Sequence, residues 1–129
     1  MARLIVVVDD SPTIRKILKV ALGREGYEVK CFHSSHQLLH ALFVTCETRM
    51  PDLLFVDLTL PGMDGFEVIK SVRAHPAGVS LPIFIISGRR GLVNRLRAWR
   101  SGADEYITKP FKVQEIVRLI RQHLPSGPC

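Results

Sequence analysis

Asp57 stands at the end of Leu53-Leu-Phe-Val56, a continuous apolar run that reads as a strand buried on both faces. Three further strand-like runs also end on polar groups. Arg3-Leu-Ile-Val-Val-Val8 ends on Asp9-Asp10, Leu81-Pro-Ile-Phe-Ile-Ile86 on Ser87, and Glu105 to Thr108 on Lys109-Pro110. An open parallel sheet gathers the carboxyl ends of its strands along one edge, where ligands bind. Three carboxylates brought there within about 5 Å of one another repel by roughly 3 kcal/mol per pair at an effective dielectric near ~20. One lysine does not offset that. Mg²⁺ does, because it takes a few carboxylates and keeps several waters. With a metal and a lysine beside it, one carboxylate can stay ionised and act as a nucleophile. Both cations also neutralise charge on a transferred phosphoryl group, and a serine hydroxyl can donate to a further phosphoryl oxygen. The set suits making and breaking an aspartyl phosphate.

The remaining elements must position these groups. Ser11-Pro12 starts a helix, with Ser11 as cap and Pro12 at the first helical position. Its apolar face is Ile14, Ile17, Leu18, Ala21 and Leu22, and Gly26 closes it. Glu28 to Phe32 is a short strand. Ser34 or Ser35 caps a second helix with Leu39, Leu42, Phe43 and Cys46 as its stripe. Pro61-Gly62 breaks the chain after Asp57, and Asp64 caps a third helix with Glu67 completing a capping box. That helix carries Phe66, Ile69, Val72 and Arg73 at helical spacing and stops at His75-Pro76. Gly88-Arg-Arg-Gly91 is a free basic loop. A fourth helix, about Leu92 to Ser101, is expected to bury Leu92 and Leu96, with Trp99 at the core edge, and Gly102 stops it. The last helix, about Lys112 to Leu124, is expected to bury Val113, Ile116, Val117, Ile120 and Leu124. Five strands alternating with five helices imply right-handed crossovers and a parallel sheet covered on both faces.

The 129 residues make one domain, residues 1–124 with a short tail at 125–129. No apolar run approaches the ~20 residues needed to span a bilayer, and nothing marks secretion, so a cytoplasmic location is expected. Cys31, Cys46 and Cys129 share no metal-ligand spacing; Cys31 and Cys46 read as small core residues. His36 and His40 sit four apart, a spacing that can hold zinc, but no third ligand accompanies them and a solvated face is expected. The net charge of +6 is uneven: residues 89–129 hold nine Lys/Arg against three Asp/Glu, while the rest of the chain is balanced. Arg89, Arg90, Arg95, Arg97 and Arg100 share their stretch with no acid.

Taken in order, Asp9-Asp10, Asp57 with Pro61-Gly62 and Gly65, Ser87, Gly102-Ala103-Asp104, Tyr106 and Lys109-Pro110-Phe111 resemble the receiver domain of bacterial two-component response regulators. The likeness runs from Leu4 to Leu124 and is closest in kind to single-domain chemotaxis regulators. It implies a flavodoxin-like sheet of order 2-1-3-4-5. It implies Asp57 as phosphoacceptor, and Mg²⁺ held directly by Asp10 and Asp57, mainly through water by Asp9, and by the Thr59 backbone carbonyl. It further implies a cis Lys109-Pro110 bond with Lys109 on the phosphoryl group. Ser87 would move to a phosphoryl oxygen, and Tyr106 would turn into the vacated space. Thr59 and Arg89 would flank the phosphoryl group and tune its hydrolysis. Such a chain is a switch rather than an enzyme, apart from Mg²⁺-dependent self-phosphorylation and autodephosphorylation.

Other functions fit less well. A haloacid-dehalogenase-type phosphatase needs an acid two residues after its nucleophile, where this chain has Thr59. A flavodoxin needs a phosphate loop after the first strand, and Asp9-Asp10 would repel the phosphate. A degenerate receiver that binds partners without phosphorylation is the alternative within the family. The expected partners are a sensor histidine kinase or phosphotransfer protein and a downstream protein docking on the basic face of residues 89–121. A homodimer through that face would have to use Asp104, Glu105 and Glu115 as its acids. No membrane is involved, and no aromatic platform supports direct nucleic-acid binding.

Overall fold

The computed structural model describes residues 2–60, 62–89 and 91–124. Pro61 of the expected break, Arg90 of the arginine run, and the tail with Cys129 lie outside the described residues.

Strands β1 (Leu4–Val8), β2 (Glu28–Phe32), β3 (Leu53–Asp57), β4 (Ile83–Ser87) and β5 (Glu105–Thr108) form one parallel sheet in the order β2-β1-β3-β4-β5. Every residue of β1, β3 and β4 is buried, because these three central strands are covered on both faces. Helices α1 (Pro12–Arg24), α2 (Ser35–Leu39), α3 (Gly65–Ala74), α4 (Leu92–Arg100) and α5 (Val113–His123) provide the cover. On one face Val6, Val8, Leu54, Val56, Ile83 and Ile85 pack with Leu38, Ile69, Val72 and Ala98. On the other, Ile5, Val7, Phe55, Phe84 and Ile86 pack with Leu18 and Leu22 of α1 and Ile116 and Ile120 of α5. Each fully buried Leu, Ile, Val or Phe contributes roughly 1.5–3 kcal/mol.

The caps lie where local chemistry puts them. Ser11 Oγ accepts from Ile14 N at 3.3 Å, Ser34 Oγ from Gln37 N at 3.2 Å, and Asp64 Oδ1 from Glu67 N at 3.0 Å. The first five strands and helices thus begin close to where the residue pattern sets them.

Several burial expectations fail. Leu92, Leu96 and Trp99 of α4 are 70%, 48% and 76% exposed, and the inward stripe is instead Asn94, Ala98 and Ser101, of which Ala98 is fully buried. Gly91, with φ of 116°, stands at the N-cap of this helix. After Leu39 the second helix widens into a π-helical turn, His40–Val44. The wider turn shifts the stripe, so Leu38, Ala41 and Leu42 are buried while Leu39 and Phe43 are half-buried. Cys46 then leaves the helix at φ 52° and is exposed, not in the core. Cys31 is half-buried, Ile17 is exposed, and Val113 and Val117 are half-buried because they line an open groove between α5 and α1. His36 and His40 are both exposed, as a solvated face requires.

Candidate functional site

The register brings the strand ends together. Val8 pairs with Val56, so Asp9 follows beside Asp57; Asp57 pairs with Ile86, so Ser87 follows; Ser87 pairs with Thr108, so Lys109 follows. Lys109 N donates to the Ser87 carbonyl at 2.8 Å, and Lys109-Pro110 is cis. The Lys109 ammonium then reaches back across the edge, donating to Asp9 Oδ2 at 3.0 Å and Asp57 Oδ2 at 3.4 Å.

Asp9, Asp10 and Asp57 each offer a carboxylate oxygen, and these oxygens lie within 4.8 Å of one another. No other such group of possible metal ligands occurs among the described residues. Asp9 and Asp57 are buried and Asp10 is exposed, so the cluster opens to solvent on the Asp10 side. Asp9 Oδ1 accepts from Ser11 N at 2.9 Å, and Asp57 Oδ1 from Thr59 N at 3.0 Å. Arg15, which the sequence pattern does not single out, donates to the Asp9 carbonyl at 2.7 Å from the first turns of α1.

Burial pushes the Asp57 carboxyl up. The Thr59 N–H bond pulls against this, the negative charge of Asp9 adds to it, and Lys109 opposes it; the net shift is upward. For Lys109, burial works against the ammonium, but the hydrogen bond to Asp9 and the charges of Asp57 and Asp9 prevail, and its pKa is raised. Two of the three carboxylates, Asp9 and Asp57, therefore share one ammonium. An all-oxygen donor set of this spacing, open to water on one side, fits Mg²⁺, which keeps several of its waters.

Ser87 is fully buried, and its Oγ accepts from Arg89 N at 3.0 Å. The half-buried Tyr106 donates its hydroxyl to the Arg89 carbonyl at 2.6 Å. The loop expected to be free is thus tied on both sides of Arg89, and Ser87 and Tyr106 are joined through one residue's backbone. This link is invisible in sequence, because it runs through main-chain atoms of a residue whose side chain is exposed. The Thr59 side chain is exposed beside the cluster. A groove of about 700 Å³ between α1 and α5, lined by Arg24, Val117 and Arg121 among others, contains none of these residues.

The comparisons agree with this geometry. The family model described as response regulator receiver domain matches residues 5–121. A protein of Chloroflexus aurantiacus J-10-fl described as a response regulator superposes with a TM-score of 0.87 at 31% identity, covering 96% of this chain and 98% of that one. A CheY-like receiver domain protein of Methanospirillum hungatei JF-1 gives 0.85 at 27% identity, covering 96% and 94%. The chemotaxis response regulator CheY4 of Vibrio cholerae gives 0.85 at 24% identity, covering 95% and 99%, a likeness of fold.

Proposed function

Because this chain belongs to the response regulator receiver domain family, we propose that it is a phosphorylation-operated switch with Asp57 as its phosphoacceptor. The observation that carries this reading is the Lys109 ammonium bridging Asp9 and Asp57 inside the three-carboxylate cluster. Asp57 is the member set between its neighbours, with β1 on one side and β4 on the other.

An Asp57 carboxylate oxygen forms the O–P bond as the P–N bond of a phosphohistidine, on a sensor kinase or phosphotransfer protein, breaks. The imidazole leaves with the electron pair and takes up a proton. Lys109 follows the charge as it moves onto the phosphoryl oxygens. Asp9, Asp10, Asp57 and the Thr59 carbonyl are the groups that would hold Mg²⁺, which supplies further neutralisation of that charge. Thr59 and Arg89, flanking the site, would set how readily water reaches the phosphorus.

The switch follows from what Ser87 gives up. Ser87 Oγ now accepts the Arg89 N–H, and turning its hydroxyl toward a charged phosphoryl oxygen would draw Oγ away from that N–H. That frees one end of the residue whose other end Tyr106 holds. The α4 face, with Arg95 5.4 Å from the Tyr106 ring centroid, then changes its relation to β5. A downstream protein with an acidic docking surface on residues 89–121 would read the change, since a ligand shifts an equilibrium only by its differential contacts.

Incubation with acetyl phosphate and Mg²⁺ should add one phosphoryl group, seen by intact mass. Asp57→Asn should accept none, and EDTA should suppress the addition. Equal labelling of the Asp57→Asn protein would sink the assignment, and an unlabelled wild type would favour a degenerate interaction module.

A further inference from the structure

Helices α3 and α4 leave between them a cleft of about 440 Å³, lined by Phe66, Glu67 and Lys70 on one side and Arg97 and Arg100 on the other. Arg73 also borders it but is committed elsewhere: its guanidinium donates to the carbonyls of Gly78, Leu81 and Gly102 and to Asp104. Lys70, Arg97 and Arg100 have no carboxylate within ion-pair distance among the described residues. Three cations thus line one small space with a single acid, Glu67, which pairs with none of them. Arg97 is also pinned in place, its guanidinium carbon lying 4.1 Å from the Phe66 ring centroid. The residue as a whole is exposed.

We propose that this cleft binds a nucleotide. Lys70 and Arg100 would take the phosphate oxygens, where a planar, multi-donor guanidinium is well suited. A base would stack on the Arg97 guanidinium, a surface that accepts any flat ring. Glu67, the one acid on the lining, supplies an acceptor for a ribose hydroxyl or a base amino group. A cleft of about 440 Å³ suits a small ligand better than a helix or strand of a partner. Arg95 lies against Tyr106 and does not line the cleft, so the part of the 89–121 face around Arg95 can be tested apart from it. No residue of the Asp57 cluster lines it, so the two assignments fail independently.

The test is isothermal titration of the full chain with GTP and with ATP at about 0.15 M salt. Inorganic pyrophosphate and a single-stranded oligothymidylate form parallel arms, and Trp99 fluorescence is a second readout. At least one nucleotide should bind more tightly than pyrophosphate. Arg97→Ala and Arg100→Ala should each weaken it about tenfold or more, a factor that separates a lost contact from a diffuse field effect. Arg97→Lys should weaken the nucleotide but leave pyrophosphate unchanged, since it keeps the charge and loses the plane. Asp57→Asn should bind as the wild type does, and matching thermal melts would show that the cleft variants are folded. Absence of nucleotide binding, equal affinity for pyrophosphate, tighter binding of the oligothymidylate, or unchanged affinity in both alanine variants would each overturn the proposal.

Discussion

At the scale of single residues, the acid cluster holds more negative charge than its one ammonium balances. Asp57 is 4% exposed and shares its space with the buried Asp9. Asn at this position keeps the shape and can still accept the Thr59 N–H, while removing one charge from the cluster. The metal-free Asp57→Asn protein should therefore melt at a higher temperature than the wild type, because burial and the Asp9 charge disfavour the ionised Asp57 in the folded state. Added Mg²⁺ should raise the wild-type melting temperature more than that of the variant; an equal rise in both would mean that the ion acts elsewhere. The two described cysteines part company in the same local way. Burial pushes the Cys31 thiol up, against the pull of Lys19 and Arg15, and its Sγ lies 3.7 Å from the Arg15 carbonyl. A raised thiol pKa leaves less thiolate at a given pH, so its rate–pH curve is displaced to higher pH. Peptide mapping after brief alkylation of the native protein near pH 8 should find Cys46 modified well before Cys31, the gap narrowing as pH rises. Equal rates would contradict the burial seen here.

Among the elements, the start of α3 is fixed by how near it comes to the end of β3. Gly65 N donates to the Leu58 carbonyl at 3.1 Å. A Cβ on Gly65 would lie 2.5 Å from the Asp57 carbonyl oxygen and 2.8 Å from Leu58 Cα. Both neighbours are backbone and cannot swing aside. Two effects oppose each other in Gly65→Ala. Helix propensity favours alanine by up to about 1 kcal/mol. Forcing a methyl into a packed site costs about 1–3 kcal/mol. The clash should win, lowering the melting temperature and slowing phosphorylation of Asp57, whose main chain must shift. A stabilised Gly65→Ala protein would show that α3 can move away freely. The α4 entry is held differently, by the two hydrogen bonds to Arg89. Ser87→Ala removes one and Tyr106→Phe the other. In each variant the amides of residues 88–92 should exchange with deuterium faster than in the wild type, while those of β4 stay protected. Unchanged exchange in both variants would remove the link through which Ser87 and Tyr106 are proposed to communicate.

Across the whole molecule, charge is partitioned rather than spread. Residues 1–88 carry nine Lys/Arg and nine Asp/Glu, so the net +6 resides in residues 89–129. Within that stretch, α4 holds three arginines and no acid beside the exposed apolar side chains Leu92, Val93, Leu96 and Trp99. A surface that is both cationic and apolar suits a partner offering acids around an apolar centre, and draws it in by long-range attraction. Association with a downstream protein should slow steeply as salt rises from about 0.05 to 0.5 M, over which the screening length falls from well above to well below ~10 Å. Arg95→Glu should reduce the association rate more than the dissociation rate. Association that ignores both salt and the Arg95 charge would reduce this face to a solubilising surface. No described helix is long and apolar enough to cross a membrane.

The strands, the caps and the residues at the strand ends were legible in sequence because their signals are local. An unbroken run such as Leu53 to Val56 admits burial on both faces, and Ser11-Pro12 or Asp64 marks a helix start whatever the rest of the chain does. Once the strands are parallel, register alone carries Asp9, Asp57, Ser87 and Lys109 to one edge. Other features depended on contacts between distant segments. The apolar residues of α4 match a buried stripe, yet in the fold Ala98 faces inward and Trp99 is left outside. The π-helical turn at His40–Val44 shifts the face of α2 and ejects Cys46. Arg73 at helical spacing reads as one more position on α3, whereas in the fold its guanidinium ties the β4 entry to the α4–β5 turn. Arg97 on Phe66 joins residues about thirty positions apart, and Tyr106 reaches a carbonyl rather than a side chain. Periodicity fixes which residues share a helix face, but only the neighbouring elements decide which face turns inward.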